Sequence, residues 1–216
     1  MSDDPHGGQP VLHAGAAIAD ARIVCVLLHG RGASAEDILG LASELSVSDV
    51  AFLAPQAAGG TWYPYSFLAP IQRNEPYLTS ALRSVERLLD GLTGKRIARD
   101  RIAIAGFSQG ACLTLEFAAR NAGKYAAVVA LTGGLIGPPE TPRDYPGSFD
   151  GTPVFIGSSD VDPHVPLERV HESTAVLRGM GAAVDERIYP GMPHTVNQDE
   201  IHAVDALLEP GHRRRV

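Results

Sequence analysis

Five residues near the middle of the chain have the types and spacing of a catalytic nucleophile. They are Gly106-Phe107-Ser108-Gln109-Gly110, a G-x-S-x-G sequence. The run 101–105 before them, apolar after Arg101, predicts a buried strand, and the run 111–120 after them predicts a helix. Strand, G-x-S-x-G and helix in this order predict a nucleophile elbow, a sharp turn that exposes the serine above a sheet. The alternative interpretation is a glycine-rich turn whose serine only caps the helix.

A nucleophilic serine needs a base that accepts its proton and an acid that orients the base. In enzymes with this elbow the chain order is serine, acid, histidine. His194 lies a few residues beyond the predicted strand 184–189 and fits that order. His171 and His202 fall within predicted helices, and His164 precedes the last strand. We therefore predict that His194 is the base.

Two aspartates compete for the role of the acid. Asp160 and Asp162 both follow the predicted strand 154–157 within a few residues, and spacing alone does not separate them. Aspartate side chains commonly hydrogen-bond the backbone of turns. We expect the aspartate that is not the acid to do this.

The oxyanion formed during acyl transfer needs two hydrogen-bond donors that are already aimed at it. The amide after the nucleophile, that of Gln109, is one candidate, and the loop after an early strand supplies the other. Arg31 lies in such a loop, beyond the predicted strand 23–28 and flanked by glycines, so its main-chain amide is the second candidate. We expect the Arg31 side chain to be solvated and His29 to hydrogen-bond the backbone.

The elements that must position these residues alternate along the chain. Besides those already named, apolar runs predict strands at 50–54 and 127–131, and amphipathic runs predict helices at about 34–45, 75–92, 166–179 and 197–209. Six strands separated by helices predict an α/β fold, a mainly parallel sheet with helices on both faces. We expect a flexible N-terminus over residues 1–10 and a single domain over 11–216.

The segment 56–74 has no regular pattern and is rich in aromatic residues. Long irregular segments in a compact domain are usually functional, so we predict a substrate pocket that includes this segment. The predicted pocket residues are Trp62, Tyr65, Phe67, Leu68, Ile71 and Leu135. Packing beneath the loop is the alternative role for each of them.

Composition excludes several classes of partner. The net charge of −7 and the lack of a basic stripe argue against nucleic acid, since the only basic cluster is His212 to Arg215. No run is apolar for the roughly 20 residues that span a bilayer, and no signal peptide is visible at the start. Cys25 and Cys112 imply neither a metal site nor a disulfide. We therefore predict no metal, no organic cofactor and a cytoplasmic location.

Four motifs in order carry a resemblance to a known family. L-H-G-R-G at 28–32, G-F-S-Q-G at 106–110, D-x-D-P-x-V-P at 160–166 and Y-x-G-M-x-H at 189–194 resemble the phospholipase/carboxylesterase family of small α/β-hydrolases. The resemblance implies an α/β-hydrolase fold and assigns the acid to Asp162, the base to His194 and the oxyanion amides to Arg31 and Gln109. No large insertion separates the strands, so we expect no cap domain and an open site.

The resemblance also implies a function. We expect a serine carboxylesterase that hydrolyses small to medium acyl esters through an acyl-enzyme intermediate, with a small-molecule ester as its partner and a homodimer left open. Arg31-Gly32-Ala33 stands where eukaryotic thioesterases of this family carry Leu-Gly-Asp, which favours small esters over acylated proteins. The alternatives are a thioesterase, lysophospholipase or lactone hydrolase on the same residues, or a binding module that keeps the fold without catalysis.

Overall fold

A twisted seven-stranded sheet forms the centre of the computed structural model, which describes residues 4–209. The strands lie in the order β1-β3-β2-β4-β5-β6-β7. Their bounds are Val11–Gly15 (β1), Ile23–Leu28 (β2), Val50–Pro55 (β3), Ile102–Phe107 (β4), Ala127–Leu131 (β5), Pro153–Ser159 (β6) and Ala183–Tyr189 (β7). All pairings are parallel except that of β1 with β3. The predicted α/β-hydrolase fold is confirmed.

Within the described residues, five α-helices cover the two faces of the sheet. Their bounds are Ala35–Glu44 (α1), Tyr77–Gly94 (α2), Gln109–Arg120 (α3), Leu167–Gly179 (α4) and Gln198–Leu208 (α5). One apolar core joins the sheet to α2, α3 and α4, and a second joins the opposite face to α1 and α5. Every residue of β2 and β3 is buried, because strands covered on both faces need apolar side chains at successive positions. This explains why continuous apolar runs predicted the central strands.

The strand order reverses between β2 and β4. From β2 the chain goes to β3 on one side, and the later strands continue from β4 on the other. In parallel sheets the loops at the carboxyl ends of two such strands diverge and leave a crevice between them. The loop after β2 contains Arg31 and the turn after β4 contains Ser108, so the topology brings these two predicted site residues to one crevice.

Strand β1 is a difference from the six strands predicted. It is an edge strand of five residues, paired only with β3, and none of its residues is fully buried. A half-exposed edge strand does not need a continuous apolar run, and this one includes His13 and Gly15. The sequence signal that identified the other strands was therefore absent here.

Residues 4–10 also differ from the flexible N-terminus that the sequence predicted. His6 is 1% exposed. Its backbone amide donates to Ser80 Oγ at 2.9 Å, its Nδ1 accepts from the Ala58 amide at 3.0 Å, and its Nε2 donates to the Trp62 carbonyl at 3.0 Å. Burial lowers the pKa of His6, in keeping with a neutral ring that donates at one nitrogen and accepts at the other. Residues 1–3 lie outside the described residues.

Tight packing of the elbow against β2 gives a test of the fold. A Cβ added at Gly110 would lie 2.0 Å from the Leu28 carbonyl oxygen, while one added at Gly91, within α2, would meet nothing within 4 Å. We expect Gly110→Ala to lower the free energy of unfolding by about 3 kcal/mol or more. The matched variant Gly91→Ala should raise it by about 0.5–1 kcal/mol, because alanine favours a helix over glycine. Urea unfolding checks both, and similar stabilities for the two variants would contradict the packing at Gly110.

Candidate active site

Ser108 lies at the sharp turn between β4 and α3. Its backbone has φ 55° and ψ −116°, a strained conformation for a residue with a side chain. The turn is held on both sides, since the Ser108 amide donates to the Leu131 carbonyl at 3.0 Å and its carbonyl accepts from the Cys112 amide at 3.0 Å. The geometry is that of the predicted elbow, with the serine at the N-terminus of α3.

The structure brings Ser108, His194 and Asp162 together from three separate parts of the chain. His194 Nε2 lies 2.8 Å from Ser108 Oγ, and His194 Nδ1 lies 2.6 Å from Asp162 Oδ2. Asp162 follows β6, and His194 lies in the loop between β7 and α5. With Nδ1 donating to the carboxylate, Nε2 is left as the acceptor for the serine hydroxyl. This chain of hydrogen bonds is the arrangement that removes a proton from a serine.

Asp162 is held as a carboxylate. Burial raises its pKa, but hydrogen bonds from His194 and from the backbone amides of His164 and Val165 outweigh this and leave the pKa below its usual range. The amides lie 2.8 and 2.9 Å from Asp162 Oδ1. The carboxyl group is therefore ionised throughout the neutral range, as the partner of an imidazolium must be.

Asp160, the other candidate acid, has a different partner. Its Oδ1 accepts from the Gly191 amide at 2.7 Å, which ties the loop after β6 to the loop that carries His194. The aspartate not used as the acid was expected to hydrogen-bond loop backbone, and Asp160 does so. Spacing had left the two open, and the hydrogen bonds agree with the choice of Asp162 that the family resemblance implies.

The two candidate oxyanion amides belong to residues that line the same cavity as Ser108. Gln109 is the first residue of α3, so its amide has no partner within the helix. Arg31 follows β2 in the loop 29–32, and Gly30 packs against Phe107 and Ser108. His29 is buried, donates from Nδ1 to the Gly30 carbonyl at 2.8 Å and accepts at Nε2 from the Ala57 amide at 3.1 Å. It hydrogen-bonds the backbone, as expected.

The side chains of Arg31 and Gln109 hold the segment 61–67, which we call the aromatic loop. Gln109 Oε1 accepts from the Trp62 amide at 2.9 Å, and Gln109 Nε2 donates to the Tyr63 carbonyl at 2.8 Å. The Arg31 guanidinium donates to the carbonyls of Pro64 and Tyr65 at 2.8 and 2.6 Å. The Arg31 side chain is exposed, as expected, and its guanidinium also holds the aromatic loop.

A cavity of about 530 Å³ opens above Ser108. Its walls come from the loop after β2, the aromatic loop, the elbow and the loops that carry Asp162 and His194. Four aromatic residues are among those that line it, Tyr63, Tyr65, Phe67 and Phe107. Such a space suits a small organic ligand that is mostly apolar.

The predicted pocket residues are only partly correct. Tyr65 and Phe67 line the cavity, but Trp62, Leu68, Ile71 and Leu135 do not. Trp62 and Leu135 are fully buried, and Trp62 Nε1 donates to the His29 carbonyl at 2.9 Å beneath the loop. Leu68 and Ile71 pack against the core on the α2, α3 and α4 side. For these four residues the alternative role, packing beneath the loop, is the one observed.

Sequence analysis missed several residues that do line the cavity. They are Tyr63, Phe107, Cys112, His164 and Val165. His164 was set aside as a base because of its position in the chain, and its ring packs edge-on against His194 with centroids 4.8 Å apart. Phe107, Cys112 and Val165 each lie within four residues of a predicted site residue. That closeness in the sequence could have identified them. Tyr63 likewise lies next to a predicted residue, Trp62, within the segment 56–74 that was predicted to form the pocket.

The Arg31 side chain leads to a testable prediction. Without it, three residues of the aromatic loop lose the hydrogen bonds that the guanidinium donates to them, namely Thr61, Pro64 and Tyr65. We expect Arg31→Ala to raise KM for 4-nitrophenyl butanoate on the order of tenfold with a smaller change in kcat, because the main-chain amide remains. Arg73→Ala is the matched control, since Arg73 touches the Tyr65 ring by a cation–π contact. An unchanged KM in Arg31→Ala, or an equal rise in Arg73→Ala, would contradict the role given to Arg31.

The loop that carries His194 ends in a capping box at the start of α5. Asn197 Oδ1 accepts from the Glu200 amide at 3.0 Å, and Glu200 Oε2 accepts from the Asn197 amide at 2.9 Å. Glu200 is fully buried, and its Oε1 has no hydrogen-bond partner within the described part of the chain. Burial raises the pKa of Glu200 to about 7, so the folded protein holds this proton more tightly than the unfolded chain does.

The sign of the resulting pH dependence follows from that difference. Between about pH 4.5 and 7 the folded state binds more protons at Glu200, so its contribution to stability is lost as pH rises. Glu200→Gln keeps a capping side chain without the charge. The quantity compared is the free energy of unfolding of Glu200→Gln minus that of the parent. We expect this difference to increase by about 1–3 kcal/mol from pH 5 to pH 8. Urea unfolding at both pH values measures this.

Asp199→Asn is a control of opposite sign for Glu200→Gln. Hydrogen bonds from Arg187 and Tyr189 lower the pKa of Asp199, so its stabilising contribution exists above the unfolded value and is lost as pH falls. The asparagine variant should be less stable than the parent at pH 8, with the difference shrinking toward pH 3. A Glu200→Gln effect that does not change with pH would show that the buried carboxyl stays ionised.

An elbow serine above a mostly parallel sheet, with no large cap among the described residues, is the architecture of the α/β-hydrolase fold. Residues 15–210 match the phospholipase/carboxylesterase family, and the chain belongs to that family. It is accordingly an enzyme of the serine-hydrolase class, which acts on carboxylic ester bonds.

Several known proteins are similar to the chain. A phospholipase/carboxylesterase structure from Dyadobacter fermentans is 46% identical, with a TM-score of 0.90 over 93% of this chain and 96% of that one. Acyl-protein thioesterase 1 of Saccharomyces cerevisiae is 27% identical over 92% of this chain and 96% of its own length. The match to acyl-protein thioesterase 1 of Gibberella zeae, 33% identical, spans about half of each chain. The Bacillus cereus carboxylesterase, 18% identical with a TM-score of 0.73, shares the fold.

Two further findings concern the described residues alone. No helix within residues 4–209 is long and apolar enough to cross a membrane. Within the same residues, no three or more His, Cys, Asp or Glu side chains are grouped so that they could hold a metal ion.

Proposed function

We propose that the chain is a serine carboxylesterase that hydrolyses small to medium acyl esters through an acyl-enzyme intermediate. The observation that carries this proposal is the hydrogen-bond chain from Ser108 Oγ to His194 and on to Asp162, 2.8 and 2.6 Å long, at the base of an open cavity. A triad needs no metal or organic cofactor to cleave an ester.

In the first half of the reaction Ser108 Oγ attacks the ester carbonyl carbon while His194 Nε2 takes the serine proton. Asp162 stabilises the imidazolium through Nδ1. The main-chain amides of Arg31 and Gln109 donate to the oxyanion of the tetrahedral intermediate. The intermediate collapses, the bond to the alcohol oxygen breaks, and His194 returns the proton to that oxygen as the alcohol leaves.

In the second half a water molecule replaces the alcohol. His194 takes a proton from the water as its oxygen attacks the acyl carbon, and the same two amides hold the second oxyanion. Collapse of this intermediate releases the carboxylic acid and returns the proton to Ser108 Oγ. The two halves sum to one ester and one water giving one acid and one alcohol.

The experiment that tests this function combines labelling with turnover. The purified protein is treated with a fluorophosphonate, digested, and mapped by mass spectrometry, and parallel samples are assayed with 4-nitrophenyl esters of two to eight acyl carbons. We expect one adduct, on Ser108, and loss of esterase activity in proportion to labelling. No turnover of any ester, together with no adduct, would favour the binding-module alternative.

A thioesterase is the second candidate, because the yeast relative is an acyl-protein thioesterase. Butanoyl thioester and butanoyl ester presented in competition give the ratio of kcat/KM directly. A lysophospholipid and a lactone in the same competition test the remaining alternatives. We expect the small ester to be preferred.

The location and the assembly of the enzyme stay predictions. The cytoplasmic location rests on the two cysteines, Cys25 and Cys112, which are both buried and unpaired. A homodimer remains open, and sedimentation of the purified protein would measure it.

A further inference from the structure

Arg31 gives the cavity above Ser108 a permanent positive charge, since a guanidinium does not lose its proton in proteins. It lines the cavity, and none of the described residues that line the cavity with it is an aspartate or a glutamate. The carboxylate of Asp162 has a fully buried side chain and is bound to His194. The chain as a whole has a formal net charge of −7. The charge at the cavity is therefore opposite in sign to that of the protein.

The Arg31 guanidinium has hydrogen-bond donors to spare. It has five N–H groups, of which three donate to Thr61 Oγ1, the Pro64 carbonyl and the Tyr65 carbonyl at 3.2, 2.8 and 2.6 Å. The Nε–H and one N–H of the terminal nitrogen that reaches Tyr65 remain. Arg31 makes no ion pair with a carboxylate of residues 4–209. Because the residue is exposed, a ligand in the cavity can reach both the charge and these donors.

Support of the aromatic loop does not require a charge. The groups that Arg31 holds are two carbonyls and a hydroxyl, which a neutral amide can also hydrogen-bond. Gln109 does this for the neighbouring residues, where its uncharged side chain accepts from the Trp62 amide and donates to the Tyr63 carbonyl. The charge of Arg31 and its two remaining donors are therefore left for another partner, which must be an anion.

A carboxylate within the substrate fits this partner. The planar N–H groups of a guanidinium match the two oxygens of a carboxylate, and hydrogen bonds between charged groups are about twice as strong as those between neutral ones. A cleft with apolar walls also concentrates the field of a charge inside it, and Phe67 and Phe107 are among the lining residues. The cavity thus favours an ester that carries a negative charge over a neutral ester of the same shape.

We propose that the preferred substrates are esters that carry a carboxylate, and that the Arg31 side chain is the specificity-determining group that binds it. Arg31 then acts twice, through its main-chain amide at the oxyanion and through its guanidinium at the remote carboxylate. A half-ester of a dicarboxylic acid presents the carboxylate on the acyl side, and an ester of a hydroxy acid presents it on the alcohol side. This inference rests on the proposed function, because it concerns substrates of the same triad.

Pairs of esters that differ only in charge test the proposal. On the acyl side, the mono-4-nitrophenyl ester of hexanedioic acid is compared with the ester whose second carboxyl group is a carboxamide. On the alcohol side, 4-carboxyphenyl butanoate is compared with 4-carbamoylphenyl butanoate. After subtraction of the uncatalysed rate, each pair gives a ratio of kcat/KM, carboxylate over carboxamide. Differences in intrinsic reactivity cancel when this ratio is compared between enzymes.

We expect Arg31→Gln to lower the ratio about tenfold in at least one of the two series, the value of one hydrogen bond between charged groups that are partly exposed. Arg31→Lys keeps the charge but loses the planar guanidinium, as Arg31→Gln does, so it should recover most of the ratio if the charge is what matters. In the parent the same ratio should fall severalfold from about 20 mM to about 500 mM sodium chloride, because salt screens exposed charges. The series that responds identifies the side of the ester that carries the carboxylate.

Arg73→Gln is the matched control, since Arg73 lies against the Tyr65 ring and is not among the residues that line the cavity. Its ratios should stay within about twofold of the parent. Three results would each overturn the inference: ratios in Arg31→Gln equal to those of the parent in both series, an equal fall in Arg31→Gln and Arg31→Lys, or parent ratios that do not change with salt. Turnover of the carboxamide esters in these enzymes would leave the proposed function intact.

Discussion

Ser108→Ala is expected to lower kcat for 4-nitrophenyl butanoate by about 10⁴ to 10⁶ while the protein stays folded. Without the hydroxyl no acyl-enzyme can form, and only the oxyanion amides and substrate binding remain to accelerate attack by water. The elbow backbone at this position already has φ 55°, which alanine tolerates no worse than serine. Steady-state assays at high enzyme concentration, with circular dichroism as the check on folding, measure the loss.

Ser66 offers a control for this prediction within the same cavity. It also lines the cavity, and its Oγ accepts from the Leu68 amide at 3.2 Å. Ser66→Ala should change kcat less than about tenfold and should still be labelled by a fluorophosphonate at Ser108. A label on Ser66, or an active Ser108→Ala enzyme, would remove Ser108 from the role of nucleophile.

Asp162→Asn should lower kcat by about 10³ to 10⁴. The carboxylate holds His194 with its proton on Nδ1, and an asparagine amide can donate to that nitrogen and turn the imidazole into the wrong tautomer. Both hydrogen bonds from the backbone amides of His164 and Val165 can persist at the asparagine oxygen, so the loop should keep its fold. Steady-state kinetics from pH 6 to 9 measure the loss.

Asp160→Asn is the matched variant for Asp162→Asn. Its partner is the Gly191 amide, which an asparagine oxygen can also accept, so kcat should stay within about tenfold of the parent. If Asp160→Asn were crippling and Asp162→Asn mild, the assignment of the acid would be reversed.

The elements that position the site could be predicted because their sequence signals are local. Strands such as β4 are buried along almost their whole length and therefore are apolar at successive positions. The elbow needs two glycines at fixed spacing, since a Cβ at Gly106 or Gly110 would lie within 2.4 Å of backbone atoms. These constraints act within a few residues, and a single sequence displays them.

The orientation of the aromatic loop could not be predicted in the same way. Trp62 was assigned to the pocket because it is aromatic and lies in an irregular segment, yet hydrogen bonds with Gln109 and His29 turn it inward. These partners lie 47 and 33 residues away in the chain. His6 lies in the segment that the sequence predicted to be flexible, and its hydrogen-bond partners are also distant in the chain. Contacts between distant residues leave no periodic pattern in the sequence.

The double use of Gln109 has a consequence for anyone who evolves this enzyme in the laboratory. Its main chain is a proposed oxyanion donor, while its side chain holds the loop that shapes the cavity. Libraries that randomise residues 61 to 63 will therefore disturb turnover along with substrate range, and most of their members should score as inactive. A position such as Val165, which lines the cavity from the loop after β6, offers variation without touching that support. Screens for new substrates should begin there.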